Sequence, residues 1–238
     1  MARHALLEFS QHAHLKVRSE RSAAFGDNIM SAPVFPHEMR SLQPHYPLVF
    51  MREKNSEAYR PIALLGLERE ENLFLTEAGW GALYVPLAIR MRPFLIGRGK
   101  DVNTLQIHID LDHPRVSEID GEALFTSEGE ETEIVKSALD VLKEVHMGEQ
   151  SVAPFCALLD ELELIEPFTL DVTLKNGKTG QLAGLFTVAE EKLYALEGAA
   201  LSRLQNAGYL QSVFMMVASL SQFAALIERK NNLVEDLI

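Results

Sequence analysis

Phe168-Thr169-Leu170-Asp171-Val172-Thr173-Leu174, then Lys175-Asn176-Gly177-Lys178, then Gln181-Leu182-Ala183-Gly184-Leu185-Phe186-Thr187-Val188 is the most readable part of this chain. Side chains on a strand alternate between two faces, so a run of period two reads as a half-buried strand. Asn-Gly between two such runs is the strongest short hairpin signal, because a type I′ turn demands positive φ at both central residues. The stretch therefore predicts a long antiparallel hairpin turning at Asn176-Gly177.

On the N-terminal side of the hairpin, Glu133 to His146 places Ile134, Ala138, Leu139, Val141, Leu142 and Val145 at helical spacing. Gly148 reads as the stop of that helix, and Ser151 as the N-cap of another running to Leu164, short of Pro167. Beyond the hairpin, two helices are expected, about Ala189 to Asn206 and Tyr209 to Lys230. In the last, Leu210, Val213, Phe214, Val217, Leu220, Ala224 and Ile227 form a stripe that Met215, Met216 and Phe223 widen. A helix with so much apolar surface is expected at the centre of the structure or in a homodimer contact, with Phe214 mid-stripe.

The N-terminal half is richer in strands. Tyr46 to Met51 and Arg60 to Leu67 read as a pair joined through Arg52 to Glu57, with Leu73 to Leu75 and Asn103 to Asp110 as further short strands. Short helical pieces are expected at His37 to Leu42 and Val85 to Met91, and residues 1–33 read as an extended arm. Val116 to Val135 holds seven acidic residues and no Lys or Arg, a solvated connection leading into a helix N-terminus that favours carboxylates. The expected architecture is α+β: a sheet-rich N-terminal half, then a C-terminal β-hairpin packed with several helices. No linker composition interrupts residues 1–238, so one domain is expected.

Composition narrows the function classes. Among 238 residues, 34 acidic against 22 basic side chains give a net charge of −12, which repels phosphate backbones. The densest basic stretch, Arg90 to Lys100, is interleaved with apolar residues, and no basic patch stands out along the chain. The expected partner is a protein or a small molecule, not a nucleic acid. The single cysteine, Cys156, sits among apolar neighbours and reads as core. The N-terminus lacks a signal-peptide apolar region. Leu204 to Ile227 is uncharged but carries Gln205, Asn206, Gln211, Ser212, Ser219, Ser221 and Gln222. A lipid-facing helix would have to hide these, so a chain that does not span a membrane, in the cytoplasm, is expected.

Three constellations could carry function. His108 and Asp110 share one face of a strand, and His146 would complete a two-His-one-carboxylate set of the kind that non-haem iron oxygenases use. A strand-end histidine and a turn aspartate explain the same residues more simply. Asp110, Asp112 and Arg115 around Pro114 read first as a structured turn and second as a polar cluster gripping a ligand. Trp80, Tyr84, Arg90, Arg92 and Phe94 combine aromatics with guanidinium groups, suited to carboxylate, glycan or protein recognition. Rings in a core with arginines paired to acids is the plainer reading. No Gly-rich phosphate loop, Gly-x-Ser-x-Gly elbow or Cys-x-x-Cys pair is present, and no cofactor or resident metal is expected.

An ordered set of short motifs resembles the bacterial SapC family. Tyr46-Pro47-Leu48-Val49-Phe50, Ala63-Leu64-Leu65-Gly66-Leu67, Glu71-Asn72-Leu73-Phe74, Gly79-Trp80, Tyr84-Val85-Pro86 and Arg92-Pro93-Phe94 come first. Asp110-Leu111-Asp112-His113-Pro114-Arg115-Val116-Ser117, Gly121 to Phe125, Gly184-Leu185-Phe186 and Gly208-Tyr209-Leu210 follow in family order, so the resemblance runs from about residue 30 to the end. Arg90-Met91-Arg92-Pro93-Phe94 stands where the family shows an Arg-Arg-Tyr-Pro-Phe-like stretch, and His108 where an apolar residue is expected. The resemblance implies a non-catalytic binding or accessory protein, linked to surface layers or to TonB-dependent nutrient uptake. The permease label often given to the family does not suit a chain without an evident span.

Overall fold

The computed structural model describes residues 3–54, 56–98 and 105–235. Its strands are β1 (His4–Leu6), β2 (Lys16–Val17), β3 (Ser31–Pro33), β4 (Leu48–Arg52), β5 (Tyr59–Leu64), β6 (Leu75–Thr76) and β7 (Gly79–Trp80). They continue as β8 (Phe94–Arg98), β9 (Leu105–Asp110), β10 (Val116–Ser117), β11 (Glu122–Ala123), β12 (Ile165–Thr173) and β13 (Thr179–Val188). The helices are α1 (Phe9–His12), α2 (Met39–Leu42), α3 (Leu87–Arg90), α4 (Glu133–Glu161), α5 (Glu190–Tyr194), α6 (Gly198–Asn206), α7 (Leu210–Ser219) and α8 (Gln222–Glu235). The α+β class holds. Lys100, at the end of the basic stretch, and Asn103, the expected start of a strand, lie outside the described residues.

Two compact units interleave along the sequence. The first gathers 1–28, 75–81 and 87–147; the second gathers 29–74, 82–86 and 148–238. In the first, β9 lies between β1 and β8, with His4 opposite Asp110 and Phe94 opposite Ile109. A second small sheet puts β2 between β10 and β11. Leu7, Leu15, Val17, Phe94, Ile107, Ile109 and Leu124 bury against Val135, Ala138 and Leu142 of α4, the last two belonging to the period that predicted this helix. The N-terminal segment is thus extended, but each of its strands is built into a sheet.

The second unit holds a five-stranded antiparallel sheet in the order β12-β13-β4-β5-β3. Leu48, Val49 and Phe50 of β4 are all buried, as expected for a strand covered on both faces. Phe50 meets Phe155 of α4 at 6.2 Å between ring centroids, and Phe155 meets Tyr209 at 5.2 Å. The predicted hairpin is β12–β13, with Thr173 paired to Thr179. Its turn differs from type I′. Gly177 takes φ 83°, while Asn176 is absent from the positive-φ residues and instead accepts a hydrogen bond from the Lys178 N–H at 3.0 Å. Gly177 N donates to Leu174 O, which makes a three-residue loop with one left-handed position.

Two helix boundaries also differ. α4 runs straight through Gly148, where a Cβ would lie 2.4 Å from a Phe35 ring carbon. That glycine makes room for Phe35 rather than ending a helix, and Ser151 Oγ bonds back to Gly148 O at 2.7 Å instead of capping. The expected C-terminal helices are each split, into α5 and α6 and into α7 and α8. Leu210–Leu233 is long and apolar enough to cross a membrane by length and composition, and a third of its most apolar 18-residue window is buried. Its buried face runs through Ser212, Val213, Met216, Ser219, Phe223 and Leu226, whereas Phe214 is 37% exposed. Buried serines explain the rotation from the predicted stripe: Ser212 Oγ donates to Pro36 O at 2.8 Å, and Ser219 Oγ accepts from Leu48 N at 2.9 Å.

Candidate functional site

Among the described residues, Arg115 is the largest fully buried side chain, 1% exposed. The turn that carries it is the one the sequence predicts. Asp112 N donates to the Asp110 carboxylate at 3.1 Å, His113 N to Asp110 O, and Arg115 N to His113 Nδ1 at 3.2 Å. Strand pairing with β2 then seats the guanidinium. Arg18 N donates to Arg115 O at 3.0 Å, and Arg115 Nη1 returns a bond to Arg18 O at 2.9 Å. Arg115 Nη2 pairs with Asp27, itself 1% exposed. The Arg115 Nε is buried and has no hydrogen-bond partner among the described residues.

The segment after β2 wraps this pair. A short 3₁₀ turn, Ala23–Phe25, leads into Asp27, whose carboxylate also accepts from Ser22 N at 3.0 Å and from Arg21 Nη1 at 3.4 Å. Arg21 donates further to Ile89 O at 3.2 Å, next to Arg90 at the end of α3. Arg92, before the cis bond to Pro93, reaches Gly26 O at 3.4 Å. Arg18, Arg21, Arg90, Arg92 and Arg115 thereby line one cleft of about 350 Å³ in the first unit. Its apolar wall is Val17 and Phe94 with Ile134, Ala138 and Val141, which α4 presents at i, i+4 and i+7.

The electrostatics are those of a crowded cationic site. Burial, then the Arg115 guanidinium, push Arg21 below its ordinary value against the opposing pull of Asp27. Burial lowers Arg92 as well, outweighing Asp27 and joined by Arg115. His113 is pushed down by burial, then by Arg92 and Arg115. Arg18 is chelated by Asp120 from the acidic run, at 2.7 and 3.1 Å. Neither Arg90 nor Arg92 has a carboxylate at ion-pair distance among the described residues. The sequence shows no basic patch because these five arginines come from three separated segments; the fold assembles one.

Of the residues predicted for ligand binding, Arg90, Arg92 and Arg115 meet in this cleft. Asp110 and Asp112 form the turn that leads into Arg115, and Asp112 is held below its ordinary value by Arg3, which donates from both Nε and N. Trp80 pairs with Leu75 across β6 and β7, and Tyr84 donates its hydroxyl to Glu38 in the second unit at 3.1 Å; neither lines the cleft. Arg18, Arg21 and Asp27 escaped the sequence reading, since nothing in their unpatterned segment points at Arg115.

The ligands expected for an iron site are not brought together. Among the described residues no group of three His, Cys, Asp or Glu is placed to hold a metal, so His108, Asp110 and His146 do not converge. The His108 ring lies over Gly97, where a Cβ would be 2.0 Å away, which gives that histidine a packing place on its sheet. Burial raises the Cys156 thiol to about 12, in keeping with a core residue.

A family model described as SapC matches residues 7–226, beginning well before the motifs recognised in the sequence and taking in every cleft arginine. No curated protein and no solved structure matches the chain.

Proposed function

This chain belongs to the SapC family, and we propose that it is a non-catalytic binding protein whose ligand carries an anionic group seated in the arginine cleft. One observation carries the reading: five guanidinium groups converge on a single concavity in a molecule of net charge −12. Gathering like charges is unfavourable, and burial weakens screening by water, so such a cluster is stabilised by a counter-ion that arrives from outside. Guanidinium forks match carboxylate and phosphate oxygens in pairs, which lysines do not. A binder of this kind suits the accessory role that the family resemblance implies, beside TonB-dependent uptake or at a surface layer.

Inorganic phosphate titrated into the purified protein at low salt is the test, followed by calorimetry and thermal melts. At a hundredfold excess over Kd, saturation is worth about 2.7 kcal/mol. For a chain of this size that raises Tm by roughly 5–10 °C. Arg92→Ala should abolish the shift. An unshifted parent, or a variant shifted as much as the parent, overturns the proposal.

A further inference from the structure

We infer that the ligand of this cleft is a small organic dianion, two negative charges at one end of a compact apolar body; the inference rests on the anion-binding reading above. The first support is the balance of charge. Against the five guanidiniums stand Asp27, shared by Arg21 and Arg115, and Asp120, chelated by Arg18. Two further carboxylates line the cleft, but Glu133 is already paired with Lys136 at 3.0 Å, which leaves Glu122. Three carboxylates against five guanidiniums leave two positive charges unanswered, and Arg90 and Arg92 are the cleft arginines without a carboxylate among the described residues. A single carboxylate would neutralise one of them; a dianion meets both.

The second support is the wall opposite. Ile134 of α4 is half-buried there, beside the buried Phe94, Ala138 and Val141, and an inorganic ion would leave its exposed apolar surface to water where an organic body would cover it. About 350 Å³ is at the small end of ligand sites, so the body is a ring or a short chain rather than a polymer. A dicarboxylate and a phosphate monoester share this chemistry.

Four probes separate the possibilities by calorimetry at pH 8, where a phosphate monoester is fully ionised: benzoate, phthalate, phenyl phosphate and inorganic phosphate. Phthalate or phenyl phosphate is expected to bind at least about tenfold tighter than benzoate, and tighter than inorganic phosphate. Whichever of the two binds better identifies the head group. Arg90 is exposed at the end of α3, so Arg90→Ala should fold normally and bring the dianions down to the affinity of benzoate. Benzoate binding as tightly as the dianions overturns the two-charge inference while anion binding stands. Inorganic phosphate matching phenyl phosphate overturns the apolar body. If none of the four binds, the proposed function falls with it.

Discussion

Asp27 and Arg115 illustrate what one charge does in a dry place. Each is about 1% exposed, so removing Asp27 leaves Arg115 buried without a counter-ion, whereas removing Arg115 leaves Asp27 with Arg21 alone. Asp27→Asn strands both Arg115 and Arg21, and the expected loss is about 3–5 kcal/mol of stability, the range for a broken buried pair. Urea melts measure it directly, and a loss below about 1 kcal/mol would show that Arg115 does not depend on this carboxylate. Replacing both Asp27 and Arg115 with apolar residues should cost less than Asp27→Asn alone, because only the partly exposed Arg21, and no fully buried guanidinium, is then left without its carboxylate. Sequence made the Arg115 turn legible through Pro114 and its neighbouring aspartates. It did not reveal Asp27, because the pair is 88 residues apart and ion pairing has no period along a chain.

Elements are where periodicity reads best and polar contacts overrule it. The β12–β13 hairpin and the inward face of α4 follow from spacing alone. The Gly148 boundary failed because a glycine that admits a neighbour looks the same in sequence as one that ends a helix. In α7, counting apolar residues put Phe214 at the centre of the buried stripe, yet two serines with backbone partners turn the helix onto Met216. Phe214→Asp is therefore expected to leave the thermal midpoint nearly unchanged. Met216→Asp buries a charge with no partner prepared for it and should unfold the protein or lower the midpoint by more than about 10 °C, which follows from a loss of several kcal/mol. A melt in which Phe214→Asp is the more damaging variant would return the buried face to the stripe predicted from sequence.

Acid should loosen the entire fold in a defined window. His113 is held below its ordinary value of 6.5 by burial, Arg92 and Arg115, which together outweigh Asp110 and Asp27; His45 is lowered by burial and by Arg229. The folded state thus refuses protons that the unfolded state accepts. Stability is complete above about pH 6.5 and declines as pH falls from there through the lowered folded values. The melting temperature should be lower at about pH 5.5 than at about pH 7.5, and His113→Gln should flatten part of that fall. Identical slopes in parent and variant would remove His113 from the account. The α+β class was readable because it needs only local patterns, whereas the interleaving of two units was not, since strand partners such as β1 and β9 leave no trace in either segment. That pairing sets a clock on synthesis. Leu6 lies opposite His108, so the first strand leaves the ribosome about a hundred residues before its partner exists. At roughly 5–20 residues per second the nascent chain waits on the order of 5–20 s. Throughout that interval Leu7, Leu15 and Val17 lack Ile107 and Ile109, the core neighbours that later cover them, and theirs is the segment over which chaperones and proteases would compete.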